Sequence, residues 1–193
     1  MNLAIFGGTF DPVHCAHITV AREAATQFNI DRVLLVVAAN PPHKPNATHA
    51  SFEDRLRMVE LACDRDPRLE PSRLEQDTAR SYSIDTIERV RATLPAGHRL
   101  YFIIGADAFA EIESWHRWRD VIRSVEFIVV TRPGHTYDTP EGARVHRLDT
   151  LALPISSTDL RRRLEAGESP SEIPEPVLRY IRENRLYATG VRT

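Results

Sequence analysis

In Leu3-Ala4-Ile5-Phe6-Gly7-Gly8-Thr9-Phe10-Asp11-Pro12-Val13-His14-Cys15-Ala16-His17, a short apolar run meets a glycine turn and then a pair of histidines. The run from Leu3 to Phe6 reads as a buried first strand. Gly7 and Gly8 let the backbone turn tightly and approach a ligand without Cβ interference. Asp11-Pro12 punctuates the loop, and a helical pattern starts close to His14. Three residues apart on a helix, His14 and His17 share one face. Strand, glycine turn and helix N-terminus make an anion site, with backbone N–H groups and the positive dipole end facing a phosphate. Two imidazoles added there point to a phosphate that is transformed as well as bound. His14, Cys15 and His17 are also zinc-ligating residue types. Cys15, however, falls on another side of the helix, and no Cys-x-x-Cys occurs in the chain.

Beyond this segment, β-rich apolar runs alternate with helical patterns. Val33–Val37, Leu100–Ile104 and Phe127–Val130 read as further buried strands, and Val145–Leu148 as a weaker one near an edge. Ser51 is placed to cap a helix reaching about Asp64, with Asp54 in the capping-box position. Ser83 is placed to cap another through Ile84, Ile87, Val90 and Leu94. Near the C-terminus, Ser157 or Thr158 would cap a helix ending at Ala166-Gly167, and prolines surround a last helix from about Val177 to Asn184. Continuous apolar strands separated by helices predict an α/β fold: a doubly wound, Rossmann-like parallel sheet with helices on both faces. Such sheets bind ligands beyond the carboxyl ends of their strands, at a topological switch point.

The residues at those ends carry the chemistry. Asn40-Pro41-Pro42-His43-Lys44-Pro45 follows the second strand, and Gly105-Ala106-Asp107 the third. Trp115-His116-Arg117-Trp118 comes shortly after that. Ile155-Ser156-Ser157-Thr158-Asp159-Leu160-Arg161 opens a helix whose first turn carries a guanidinium, a second phosphate site. Arg22, Arg55, Arg57 and Glu60 read as ordinary helix-surface charges.

The whole chain sets bounds on this reading. Its 193 residues suit one α/β domain with a sizeable core. Lys and Arg number 25 against 27 Asp and Glu, a net charge of −2, without the basic balance of many nucleic-acid binders. Two cysteines give no disulfide framework, and no apolar run is long enough to span a membrane. The expectation is a cytoplasmic protein acting on small molecules, with neither nucleic acid nor membrane as partner.

Gly-Gly-Thr-Phe-Asp-Pro-x-His-x-x-His resembles the nucleotidyltransferase signature of the adenylyltransferase superfamily, and Ile155 to Arg161 its second signature, Ile-Ser-Ser-Thr-x-x-Arg. Pro41-Pro42-His43-Lys44, Ser81-Tyr82-Ser83-Ile84-Asp85-Thr86, Gly105-Ala106-Asp107 and Trp115-His116 occur in the order seen in bacterial nicotinate-mononucleotide adenylyltransferases. The likeness covers essentially the whole chain. It implies adenylyl transfer from ATP to nicotinate mononucleotide by one nucleotidyltransferase domain over 1–193, with the helical part from about 155 to 193 completing the ATP site. His14, His17 and Arg161 would be catalytic. Gly7, Gly8, Thr9, Phe10, Gly105, Asp107, Ser156, Ser157 and Thr158 would bind ATP. Lys44, with His43 beside it, and Ser83, Trp115 and His116 would hold the mononucleotide. Mg²⁺ would sit on phosphates and water, with no all-protein metal cage. A histidine beside phosphate would favour its protonated form. One departure stands out: the family usually has glycine at the position of Ala16. A different acceptor such as phosphopantetheine, or a non-catalytic nucleotide-binding module, are the alternative readings. A dinucleotide-dependent dehydrogenase would need Gly-x-Gly-x-x-Gly after the first strand, which Gly7-Gly8-Thr9-Phe10 does not supply.

Overall fold

A computed structural model of the chain describes residues 1–40, 48–132, 134, 136–151 and 155–188. Six strands among them form one sheet: β1 (Asn2–Gly8), β2 (Arg32–Val37), β3 (Leu69–Ser72), β4 (Arg99–Gly105), β5 (Glu126–Thr131) and β6 (Arg144–Asp149). Their order is β3-β2-β1-β4-β5-β6, and every pairing is parallel. The chain starts at the middle of the sheet and winds outward in both directions. The switch point therefore lies between β1 and β4.

Among the described residues seven α-helices accompany the strands: α1 (Cys15–Gln27), α2 (Phe52–Cys63), α3 (Ser83–Thr93), α4 (Ala106–Ala110), α5 (Trp118–Ser124), α6 (Ser157–Glu165) and α7 (Glu175–Glu183). Strand side chains alternate between two cores, as the pleat requires. Ala4, Val33, Leu35, Tyr101, Ile103 and Ile128 pack with α1, α2, α6 and α7 on one face. Leu3, Ile5, Phe102, Ile104, Phe127 and Val129 pack with α3, α4 and α5 on the other. Both faces of the sheet are thus covered, and the predicted fold class holds. No helix among the described residues is long and apolar enough to cross a membrane.

Four of the expected strands lie inside β1, β2, β4 and β5, and the weak candidate over Val145–Leu148 is the edge strand β6. β3 has no counterpart in the sequence reading. Its four residues, Leu-Glu-Pro-Ser, lack an apolar run, and only an edge position tolerates the proline. Ser51 caps α2 as expected, accepting the Asp54 N–H at 3.1 Å. Two other caps fall one or two residues earlier than expected. Tyr82, not Ser83, is the N-cap of α3, and Ser156, not Ser157 or Thr158, that of α6. Neither uses its side chain to cap, so the first N–H groups of both helices keep no side-chain partner from the cap residue.

Candidate active site

At the switch point the sheet edge is bare. Gly7 and Gly105, at the carboxyl ends of the adjacent strands β1 and β4, are both exposed, and a Cβ on either would meet open space. Gly8 is constrained differently: a Cβ there would lie 2.9 Å from the Phe10 ring, which is fully buried and cannot retreat. Glycine at position 8 therefore lets Phe10 fold back beneath the loop. Phe10 itself has φ of 48°, a left-handed conformation that a bulky residue adopts only under constraint.

The histidines meet as their spacing predicts. His14 is the N-cap of α1 and His17 lies in its first turn, with the rings stacked at 3.7 Å between centroids and 26° between planes. Phe10 meets His17 edge-on at 5.0 Å. The backbone N–H of His14 donates to His17 Nδ1 at 3.2 Å. That bond makes Nδ1 an acceptor, so a neutral His17 carries its proton on Nε2, ready to donate. His14 Nδ1 is buried and has no partner among the described residues. Burial holds the His14 imidazole down to about 4. Burial, and then the neighbouring His14, hold His17 well below its ordinary value. Both rings are therefore neutral at pH 7, and a phosphate beside them would raise either again. Stacked this closely, the two cannot both be charged without strong repulsion.

The far end of the chain closes on this loop. Ser157 Oγ donates to the Pro12 carbonyl at 3.3 Å, and Arg161 Nη1 to the Asp11 carbonyl at 2.7 Å. Arg161 Nη2 also reaches Thr158 Oγ1 at 3.1 Å. The N-terminus of α6 thereby stands beside the glycine loop although some 145–150 residues separate them. Since these Ser157 and Thr158 hydroxyls are engaged, what α6 offers an anion is its free first-turn N–H groups, the exposed Ser156 and the Arg161 charge. A cleft of about 860 Å³ opens alongside, with Thr158, Arg161, Arg162 and His49 in its wall.

Asp11 locks the loop from beneath. It is 2% exposed and accepts from the His49 N–H at 2.7 Å, the Ala50 N–H at 3.2 Å and the Tyr187 hydroxyl at 2.6 Å. Its neighbour Arg55 corrects the sequence reading. Rather than lying on a helix surface, it is 1% exposed and donates to the carbonyls of Thr9, Ala38 and Ala50. Neither Asp11 nor Tyr187 was expected in the site network. Asp11 is marked locally only as a turn and signature residue and Tyr187 not at all, because the bonds that join them come from segments far apart in sequence. Arg57 pairs with Glu60 on the surface, and Arg22 with Asp66, as charges of that kind do.

On the opposite flank, Tyr82 and His116 stack at 4.4 Å, which brings the start of α3, with Ser83 as its first residue, next to His116. Trp115 is half-buried, with one edge against Phe102 at 6.1 Å. Asp107 is exposed in the first turn of α4, directly after Gly105. Asn40 holds this flank to the loop after β2: its N–H donates to Ser81 Oγ at 3.0 Å and its carbonyl accepts from the Ser81 N–H. Lys44 and His43 lie outside the described residues. Ala16, in the family's glycine position, is a half-buried residue of the first turn of α1. No group of three or more His, Cys, Asp or Glu side chains gathers among the described residues as a metal site.

Residues 5–163 match the model of the cytidylyltransferase-like family. The chain is 60% identical over 187 residues to the "Probable nicotinate-nucleotide adenylyltransferase" of Solibacter usitatus, covering 97% of this chain and 100% of that protein. Against the protein of the same description from Exiguobacterium sibiricum it is 39% identical over 191 residues, covering 98% and 100%. Among solved structures, "Plasmodium falciparum nicotinic acid mononucleotide adenylyltransferase complexed with NaAD" superposes with a TM-score of 0.78 over 96% of this chain and 97% of that one. At 20% identity, that likeness speaks for the fold. Sequence identity along almost the full length, joined to both signatures meeting at the switch point, makes this chain a member of the cytidylyltransferase-like family and, within it, of the nicotinate-nucleotide adenylyltransferases.

Proposed function

We propose that this chain transfers the adenylyl group of ATP to nicotinate mononucleotide, releasing pyrophosphate and forming nicotinate adenine dinucleotide. The mononucleotide's phosphate oxygen attacks the α-phosphorus, and the bond to the β-phosphate oxygen breaks. Because that nucleophile is already anionic, the site needs no strong base. It must align two polyanions and stabilise charge building on the transferred group.

The observation that carries this reading is the meeting of α6 with the glycine loop through Ser157 and Arg161. Two helix N-termini and a guanidinium then surround one bare stretch of sheet edge. Backbone N–H groups of Gly7, Gly8, Thr9 and Phe10, with the first turn of α6 (Ser156, Ser157, Thr158) and Arg161, grip the triphosphate. The orphaned nitrogen of His14 fits a phosphate oxygen as the partner it lacks, and His17 donates from Nε2 to the transferred α-phosphate. Gly105 and Asp107 take the adenosine ribose. Trp115 stacks on the pyridine ring, N–H groups near Ser83 and His116 hold its carboxylate, and Lys44 meets the mononucleotide phosphate.

Asp11 is already engaged by three donors, so Mg²⁺ would be left to phosphate oxygens and water, and would supply neutralisation of phosphate charge there. The whole chain acts as one domain, with residues from about 155 onward completing the ATP side. Two free cysteines suit a cytoplasmic setting, and only small-molecule partners are required. Pyrophosphate release is the test, with ATP and nicotinate mononucleotide, its amide, phosphopantetheine and flavin mononucleotide as acceptors. Turnover is expected with the first; turnover with phosphopantetheine alone would replace the acceptor, and none with any acceptor would leave a binding module.

A further inference from the structure

Arg55 is the largest fully buried side chain among the described residues, and its hydrogen-bond partners are backbone carbonyls. Nη1 donates to Thr9 O at 2.8 Å and to Ala38 O at 2.7 Å, while Nε reaches Ala50 O at 3.3 Å. One guanidinium thus ties together the loop after β1, the loop after β2 and the entrance to α2. Burying a charge is costly, and packing alone is served as well by an apolar side chain of that volume. The reason for an arginine here lies in the groups it holds.

Of these, Thr9 matters most. Phe10 follows it with φ of 48°, and beyond Phe10 the Asp11 carbonyl is held by Arg161. The carbonyls bracketing this strained residue are therefore each fixed by a guanidinium, one from α2 and one from α6. A conformation of this kind persists only where its surroundings impose it. The Thr9–Phe10 peptide is trans, so the Thr9 C=O and the Phe10 N–H point in opposite directions. Fixing the carbonyl toward the interior turns the N–H away from it, and that N–H has no acceptor among the described residues.

We infer that Arg55 is a positioning residue for adenylyl transfer, holding the Thr9 carbonyl so that the Phe10 N–H is aimed at the phosphate being transferred. This rests on the proposed function only in naming that phosphate. Burial pushes the Arg55 guanidinium below its ordinary value, and the nearby Asp11 carboxylate, with Tyr187, offsets part of that cost.

The test compares Arg55→Lys, which keeps the charge but cannot reach three carbonyls, with Arg55→Met, which keeps the bulk. Thermal unfolding, calorimetric affinity for a non-hydrolysable ATP analogue, and kcat and KM are measured on each. Arg55→Lys should unfold cooperatively with kcat lowered about tenfold or more, while KM for nicotinate mononucleotide stays within about twofold. Arg55→Met should lose more in kcat with the same KM pattern. A folded Arg55→Lys with kcat within about twofold of the unaltered protein would overturn the inference. So would loss of cooperative folding in both variants, which would make Arg55 a stability residue alone. Should the unaltered protein release no pyrophosphate, the proposed function fails instead. The Phe10 amide resonance then decides for Arg55: a shift on adding the ATP analogue that Arg55→Lys abolishes supports the inference, and one it leaves intact refutes it.

Discussion

Around the glycine loop, side chains from α2, α6 and the segment after α7 converge on backbone groups: Arg55 on Thr9 and Ala38, Arg161 on Asp11, and Ser157 on Pro12. Tyr187 adds a bond to the Asp11 carboxylate. Around Ser83, Trp115 and His116, the contacts are mainly between rings, with half-buried Tyr82 on exposed His116 and half-buried Trp115 at a steep angle to the buried Phe102. The first flank has its donors fixed in advance, so little reorganisation remains when charge develops on a phosphate. The second presents flat surfaces whose placement is set by stacking. A reaction between two polyanions has its main barrier in charge and alignment, and the rigid flank is the one that faces it. In the proposed function the looser flank recognises a ring, a task that tolerates small displacements.

If this contrast is sound, substitutions on the two flanks should separate rate from affinity. The largest effect is expected at His17. His17→Ala should lower kcat by about 10²–10³-fold with little change in KM, as for removal of one preorganised donor. Steady-state kinetics of pyrophosphate release check this, and a kcat close to normal would take His17 out of the reaction.

Next in size is a pH effect confined to the rigid flank. Burial holds the His14 imidazole down to about 4 in the folded protein, against an ordinary value of 6.5. Between these values the unfolded chain takes up a proton that the folded one refuses, so stability falls as pH drops. The loss is on the order of 3 kcal/mol from pH 6.5 down to about 4. Denaturant unfolding across that range, compared with His14→Asn, should show a shallower slope in the variant; equal slopes would mean that His14 is not held neutral.

The smallest effect is expected on the looser flank. Trp115→Ala should raise KM for the mononucleotide roughly tenfold, corresponding to about 1–2 kcal/mol of stacking, with kcat nearly preserved. A KM that does not move would make Trp115 a packing residue against Phe102, and the contrast between flanks would lose its second half.

Most of the frame was legible without coordinates. Apolar runs of five residues or so marked the central strands because a parallel sheet covered on both faces buries every side chain in turn. The histidine pair was legible for a similar reason: residues three apart are neighbours wherever the helix begins. β3 was not, since an edge strand needs few apolar residues. Arg55 was misread because helix periodicity places charged residues outside by default, and only distant carbonyls justify bringing one in.

The amino-acid pattern by itself determined five of the six strands, the order of the ligand-bearing loops and the chemistry of the two signatures, since all three follow from local spacing and residue type. Tertiary structure alone decided that α6 closes on the glycine loop, that Arg55 and Asp11 work beneath it, and which nitrogen of His17 carries the proton. Those outcomes depend on hydrogen bonds between segments up to 176 residues apart, or on the close geometry of a single turn. Neither a periodicity nor a motif encodes the direction in which a carbonyl or a ring nitrogen points.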